Sequence, residues 1–173
     1  MHSPRVEVSP AGPEQEPVLA NLLELYVHDL SEYFDVPLQP SGRFGYPPLP
    51  LYWREEGRFP FLVEVDRQIA GFVLVSRGSR IGGDPQVWDV AEFFIMRGYR
   101  KRGIGATVAA EVFRRFAGSW EVRVLESNLP ALEFWKAAIR SFTSGCGEEP
   151  YVDPQQKRWR VLRFESPGTG DRR

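Results

Sequence analysis

The sequence predicts one domain of mixed α/β (α+β) class: a mixed central sheet of about six or seven strands, flanked by helices. Three observations carry this. A chain of 173 residues is the size of one ordinary domain with a proper core. Three apolar, strand-like runs follow one another between Phe59 and Met96, broken only by short turns. The pattern then switches at Gly103 to helical spacing and returns to a strand and a second helix, so a meander feeds a strand–helix–strand unit.

Each element has its own signal. Val6 and Val8 alternate in a short first strand, Arg5 to Ser9, which Pro10-Ala11-Gly12-Pro13 breaks. Val18, Leu19, Leu22, Leu23, Tyr26 and Leu30 recur at helical spacing, and Pro13 or Pro17 suits a first turn, so a helix is expected over about 14–33. The stretch from Asp35 to Pro50 holds seven Pro and Gly residues beside Phe44 and Tyr46. A connection this long in a compact domain is functional or disordered, and its aromatic rings favour an ordered lid. A short helix is expected near Leu51 to Glu56. The meander strands are Phe59–Val65, Ile69–Ser76 and Val87–Met96, the first two joined tightly through Asp66-Arg67-Gln68. Ile104, Val108, Val112, Phe113 and Phe116 line one face of the next helix, with Gly118 as its stop. A strand at Trp120–Leu125, a helix at Pro130–Ile139 with Leu132, Trp135 and Ile139 as its stripe, a strand near Glu148–Val152 and a final strand at Lys157–Phe164 complete the chain. The domain is expected to span 1–165, with a polar, frayed tail over 166–173.

Composition excludes several functions. Hydrophobic residues make up 42% and charged residues 26%, and the net charge is -1, which gives no overall basic balance for nucleic acid. A single cysteine, Cys146, rules out an internal disulfide and makes a reducing compartment the default. With only His2 and His28 as further imidazoles, neither a zinc site nor a Cys–His nucleophile is expected. No apolar run approaches a membrane span, and Met1-His2-Ser3-Pro4 does not open a signal peptide, so a cytoplasmic protein is expected.

The chemistry concentrates in Phe94-Ile95-Met96-Arg97-Gly98-Tyr99-Arg100-Lys101-Arg102-Gly103-Ile104-Gly105-Ala106. A strand ends, a basic turn follows and a helix begins at two glycines. The first N–H groups of a helix have no intrahelical partner and sit at its positive end, so they suit a phosphate. Glycine lets the backbone approach that anion closely. The spacing is neither the Walker loop nor the dinucleotide fingerprint. A solvated basic turn, or contact with a nucleic-acid backbone, stays open on these residues alone.

In this register the sequence resembles the GCN5-related N-acetyltransferase (GNAT) superfamily, whose phosphate loop is Arg/Gln-x-x-Gly-x-Gly/Ala. Arg100, Gly103 and Gly105 match that loop, and Asp89-Val90-Ala91-Glu92-Phe93-Phe94-Ile95 matches its lead-in strand. Asn128, Ala131, Phe134 and Trp135 resemble the second motif, Asn-x-x-Ala-x-x-aromatic/Leu-Tyr. The resemblance covers nearly the whole chain and implies acetyl-CoA as cosubstrate and no metal. It places acetyl-CoA where two neighbouring parallel strands splay apart. Backbone groups of Phe93, Phe94 and Ile95 would meet the pantetheine arm. Arg100, Lys101, Arg102, Gly103, Ile104, Gly105 and Ala106 would wrap the pyrophosphate, with Asn128 and Trp135 on the other side.

The implied reaction is direct attack of an amine on the thioester, and the amine must first lose a proton. Asp89 is the first candidate base. Glu92 is the second, on the opposite strand face by alternation unless a bulge intervenes; Glu126 is a third acid, suited to orienting neighbours. Where many relatives carry an acidic Tyr, this sequence has Trp135, so the proton donor is open among Tyr26, Tyr33 and Tyr46, and the Gly-Phe usual after that helix is absent. The lid from Tyr33 to Trp53 falls where the family builds its acceptor pocket, with Tyr33, Arg43 and Tyr46 as candidate substrate contacts and Arg43 and Arg54 suited to a carboxylate. The expected partner is a small-molecule amine, with a peptide N-terminus or lysine open and no nucleic acid or membrane; a monomer or homodimer is expected. The rival reading is a module that binds acyl-CoA with little or no catalysis.

Overall fold

The computed structural model describes residues 4–169. Strands β1 (Val6–Pro10), β2 (Arg58–Val65), β3 (Gln68–Arg77), β4 (Trp88–Ile95), β5 (Gly118–Leu125), β6 (Gly147–Val152) and β7 (Arg158–Ser166) form one sheet in the order β1-β2-β3-β4-β5-β7-β6. Every neighbouring pair is antiparallel except β4 and β5, which run parallel. Helices α1 (Glu16–Leu30), α2 (Ile104–Arg115) and α3 (Leu129–Phe142) cover it. The expected class and the mixed sheet are as found, with seven strands.

The helices divide the sheet faces by residue parity. Leu19, Leu22 and Leu23 of α1 pack with Leu62, Phe72, Leu74 and Phe94 on one face. Val108, Val112 and Phe113 of α2, with Trp135 and Ile139 of α3, pack with Val63, Val73, Val75 and Val122 on the other. This alternation of burial along β2 and β3 is what a strand covered on both faces requires. Asp66 and Arg67 take left-handed angles (φ 50° and 65°) in a two-residue hairpin turn, which suits the right-handed twist of the strands it joins.

Element ends differ from expectation in instructive ways. Helix α1 stops at Leu30, and Ser31 N–H closes back on Val27 and His28, so Tyr33 lies beyond the helix. Helix α2 ends at Arg115 because Phe116 turns extended to pack against Phe59, Trp88 and Trp120; Gly118, read as the stop, opens β5 instead with φ 115°. Ser166, placed in the tail, ends β7, buried, with its hydroxyl donating to Phe113 O. Residues 170–173 of that tail lie outside the described residues.

Candidate active site

Strands β4 and β5 pair only at Trp88↔Trp120 and Asp89↔Glu121. Beyond that point the two parallel strands separate and a cavity of about 470 Å³ opens between them, walled by Phe93–Ile95 on one side and by Asn128, Ala131 and Trp135 on the other. Strand geometry decides which backbone groups face it. Met96 N–H donates to Ala70 O of β3, so the even-numbered residues Phe94 and Met96 turn their backbone groups toward β3. A Cβ on Gly71 would lie 2.0 Å from Phe94 O, so glycine is required there. Phe93 and Ile95 therefore face the gap, and Ile95 O already accepts from Arg100 Nε at 2.6 Å. Phe94 also borders the cavity, although its backbone groups point toward β3.

The basic turn folds as the phosphate-loop spacing implies. Arg97–Tyr99 makes a single 3-10 turn, Lys101 and Gly103 take φ 60° and 76°, and α2 begins at Ile104. Thr107 N–H bonds to Gly103 O, which leaves the N–H groups of Ile104, Gly105 and Ala106 without intrahelical acceptors. Among the described residues, no side chain caps this end. A Cβ at Gly105 would stand 3.0 Å from a ring carbon of Phe134, so only glycine sits there without displacing the ring. These uncapped N–H groups, the left-handed Gly103 and the narrow floor at Gly105 fit a pyrophosphate, and Lys101 and Arg102 are exposed beside them.

The arginines of this loop are differently engaged. Arg97 donates through Nε and Nη2 to Asp29 Oδ1 (3.1 and 2.7 Å), and Arg100 Nη2 donates to Asp29 Oδ2 (2.5 Å). Burial alone would raise the Asp29 carboxyl; the two guanidinium groups outweigh it and hold it below the usual carboxylate range. Asp29 thus fastens the loop to the last turn of α1. No local motif marked this residue, and its only sequence signal is its place one helical turn after Tyr26.

Across the gap, Asn128 caps α3: its Oδ1 accepts from Ala131 N–H at 3.1 Å, which leaves the amide NH₂ as a donor at the cavity wall. Trp135 is almost fully buried, edge-on to Phe93 (4.8 Å) and Phe134 (5.0 Å). It forms a wall of the gap.

A β-bulge sets the acids. Leu74 pairs with Glu92 and Val75 with Val90, so Ala91 is an extra residue in β4. It brings Asp89 and Glu92 onto the same face. There they part company. Glu92 is half-buried, and both its oxygens accept phenol hydroxyls: Oε2 from Tyr26 at 2.6 Å and Oε1 from Tyr46 at 2.8 Å. Burial raises its carboxyl above the ordinary value, and the two hydroxyl bonds with Arg80 and Arg123 pull it only partly back. Asp89 is fully buried, ion-paired with Arg80 (3.4 Å) and Arg123 (3.3 Å) beside the Ser76 hydroxyl, and it does not line the cavity. Asp89→Asn is expected to leave two guanidinium groups short of a counter-charge and to cost about 3 kcal/mol, measured as a lower denaturant midpoint. Glu126 is held by Arg158 and Arg160, which keep it below its ordinary value.

The lid is ordered by specific bonds. Glu24 accepts Phe44 N–H and Gly45 N–H, Trp53 Nε1–H donates to Ala11 O, and the Lys157 ammonium lies 4.3 Å over the Phe34 ring. Tyr33 lines the cavity and Tyr46 reaches Glu92, whereas Arg43 and Arg54 are exposed and border no part of it.

The sequence model of the Acetyltransferase (GNAT) family matches residues 20–138. Solved structures match over nearly the whole chain. An acetyltransferase from Thermus thermophilus aligns at TM-score 0.65 with 15% identity, covering 94% of this chain and 98% of that one. Spermidine N-acetyltransferase from Vibrio cholerae, in complex with CoA and spermine, aligns at TM-score 0.66 with 12% identity, covering 93% and 95%. The ribosomal-protein-S18-alanine N-acetyltransferase from Escherichia coli aligns at 0.60 with 12% identity, covering 98% and 99%. A search of curated proteins finds no match. With the family model matching well over half of its length, and the parted β4–β5 pair and uncapped glycine loop in place, the chain belongs to the acetyltransferase (GNAT) family.

Proposed function

We propose that this protein is an N-acetyltransferase that moves the acetyl group of acetyl-CoA directly to a primary amine, most simply that of a small molecule. One observation carries the reading: a single cavity joins the uncapped N-terminus of α2 to the parted strands and to Tyr26, whose hydroxyl bonds Glu92. Acetyl-CoA supplies the activated acetyl group. The N–H groups of Ile104 to Ala106, with Lys101 and Arg102, hold its pyrophosphate, and the Phe93 and Ile95 edge with Asn128 orients the arm. Glu92 takes the proton of the amine, a role we give it over Asp89 because Asp89 is already committed to two arginines. The domain on this reading runs one residue past the expected 165, through Ser166 at the end of β7. Its one thiol fits a reducing compartment, and we place it in the cytoplasm as a monomer or homodimer.

Two features bear on the acceptor. Glu92, which Tyr26 and Tyr46 hold, attracts a cationic amine, and Tyr26 and Tyr33 give that end of the cleft aromatic walls. Arg43 and Arg54 stand away from the cleft, which argues against a carboxylate anchor on either. The buried Trp135 in place of a Tyr favours a second reading, a domain that binds acyl-CoA and has lost the transfer. A thiol-release assay separates the two. With acetyl-CoA and a panel of mono-, di- and polyamines, aryl-alkyl amines, amino acids and peptides, at least one amine is expected to release CoA well above hydrolysis. CoA binding with no amine-dependent release would leave the second reading standing.

A further inference from the structure

Trp135 carries a hydrogen-bond donor that no described residue uses. The chain has five tryptophans. Four of their indole N–H groups are satisfied: Trp53 donates to Ala11 O at 2.8 Å, and Trp88, Trp120 and Trp159 donate to Ala117 O, Phe116 O and Asp153 Oδ2, each at 3.0 Å. Trp135 has no such acceptor among the described residues, although only 6% of it is exposed. A tryptophan this buried ordinarily sets its N–H on a partner. Among the described residues, the Tyr52 hydroxyl alone is both sealed from solvent and unpartnered, so the Trp135 N–H lies in the small part of the ring that stays open. Trp135 walls the cavity, so that opening is the gap between β4 and β5.

Packing fixes where along the gap this donor stands. The phosphate end is marked by Gly105 against the Phe134 ring and by Arg100 on Ile95 O. Trp135 stands edge-on to Phe93 at 4.8 Å, and Phe93 is the gap-facing residue nearer the point where the strands part. An arm that enters from the N-terminus of α2 therefore ends between Phe93 and Trp135. The other free donor on this wall, the Asn128 amide, sits two helical turns earlier, about 10 Å along α3, and serves a different part of the arm.

We propose that the Trp135 N–H holds the sulfur of the cosubstrate, and that the sulfur departs on this bond as a thiolate, with no acid at the site. This rests on the acetyltransferase reading above. The amine nitrogen bonds to the acetyl carbon, the carbon–sulfur bond breaks, and its electron pair leaves on sulfur. The proton that nitrogen gives up passes through the base to solvent, and the released thiolate takes one from solvent. Trp135 keeps its own proton throughout, because an indole N–H donates a hydrogen bond without acting as an acid. A charged acceptor makes the stronger hydrogen bond, so the contact tightens as charge gathers on sulfur. That difference lowers the barrier, where equal binding of both states would not.

The test uses the whole chain labelled with 15N, in which Trp135→Phe identifies the Trp135 indole signal. That signal is expected to move downfield when CoA is added and to stay near its free position with desulfo-CoA, which keeps the phosphates and the arm and lacks the sulfur. Equal shifts with both ligands, or none with either, would overturn the contact. Raising the pH of the CoA complex through ionisation of the bound thiol is expected to move the signal further downfield; no such step would mean that the N–H does not favour charge on sulfur. With an amine that the panel identifies, Trp135→Phe is expected to lower kcat about tenfold to a hundredfold, with acceptor KM and acetyl-CoA affinity within about threefold of the parent. An unchanged kcat, or a loss of affinity in step with the rate, would make Trp135 a packing residue only. If Trp135→Phe does not fold, through-bond assignment of the parental signal lets the two ligands decide. A parent that shows the CoA shift but releases CoA with no amine would remove the transfer reading, and the departure step with it, while the contact stands.

Discussion

Gly103→Asp is expected to abolish acetyl-CoA binding and leave the fold standing. Gly103 is the N-cap of α2 at φ 76°, and a Cβ there meets nothing within 4 Å. Aspartate tolerates this left-handed region better than most residues, and at an N-cap its carboxylate can accept the free N–H groups of the first turn. The cost in backbone strain and the gain in capping are each on the order of 1 kcal/mol and oppose one another. The same substitution fills, with a negative charge, the place that a pyrophosphate needs. Losing two charge-assisted bonds corresponds to about 3 kcal/mol, roughly a hundredfold in Kd, before any repulsion is counted. Gly103→Asn separates charge from shape, since it suits the same backbone region and can cap without the charge, so it is expected to weaken binding less. Gly105→Asp acts differently, because its Cβ meets the Phe134 ring at 3.0 Å and crowds the floor of the loop as well. Calorimetric titration with CoA beside a thermal melt checks all three. Undiminished affinity in Gly103→Asp would remove the loop from the cofactor site.

The parts of this site written in adjacent residues were legible in the sequence, and those made by distant pairs were not. The strand, the basic turn and the glycines from Phe94 to Ala106 form one local unit whose conformation follows from its own residues, so its spacing sufficed. Asn128 was legible for the same reason: it caps its own helix. The bulge at Ala91 was not. Strict alternation sets Asp89 and Glu92 on opposite faces, and a single extra residue, visible only in pairing with β3, puts them on one. Asp29 lies 68 and 71 positions from the two arginines it holds, and nothing near it in sequence points to them. Asp89 illustrates the converse. Its position before the phosphate loop suited a base, but Arg80 and Arg123 arrive from other elements and claim its carboxylate. The same limit affected the substrate contacts, since Arg43 and Tyr46 share one loop and only Tyr46 turns inward.

Glu92→Gln is expected to lower kcat by about a hundredfold to a thousandfold while CoA affinity stays near the parental value, because Glu92 stands apart from the phosphate loop. The pH dependence gives the role away. In the parent, burial raises the Glu92 carboxyl above its ordinary value, so the base is lost as pH falls through that raised pKa, and the acid limb of the rate profile lies higher than for a free carboxylate. In Glu92→Gln that limb is gone. The remaining rate follows the neutral fraction of the amine and climbs about tenfold per pH unit until the amine itself titrates. Stability should move the other way. The folded state holds the Glu92 proton more tightly than the unfolded chain does, so the acid contributes most below its unfolded pKa and that contribution is lost as pH rises through the folded one. Above its raised pKa the parent therefore carries a charge that glutamine lacks, and Glu92→Gln is expected to melt higher; well below that pKa the two melting points should converge. A variant that is slower and more stable at neutral pH, with both differences shrinking in the stated directions, is the signature of a charge kept in place for catalysis against the preference of the fold. A rate profile of parental shape in Glu92→Gln would move the base to another group. Equal melting points at every pH would mean that Glu92 carries no buried charge.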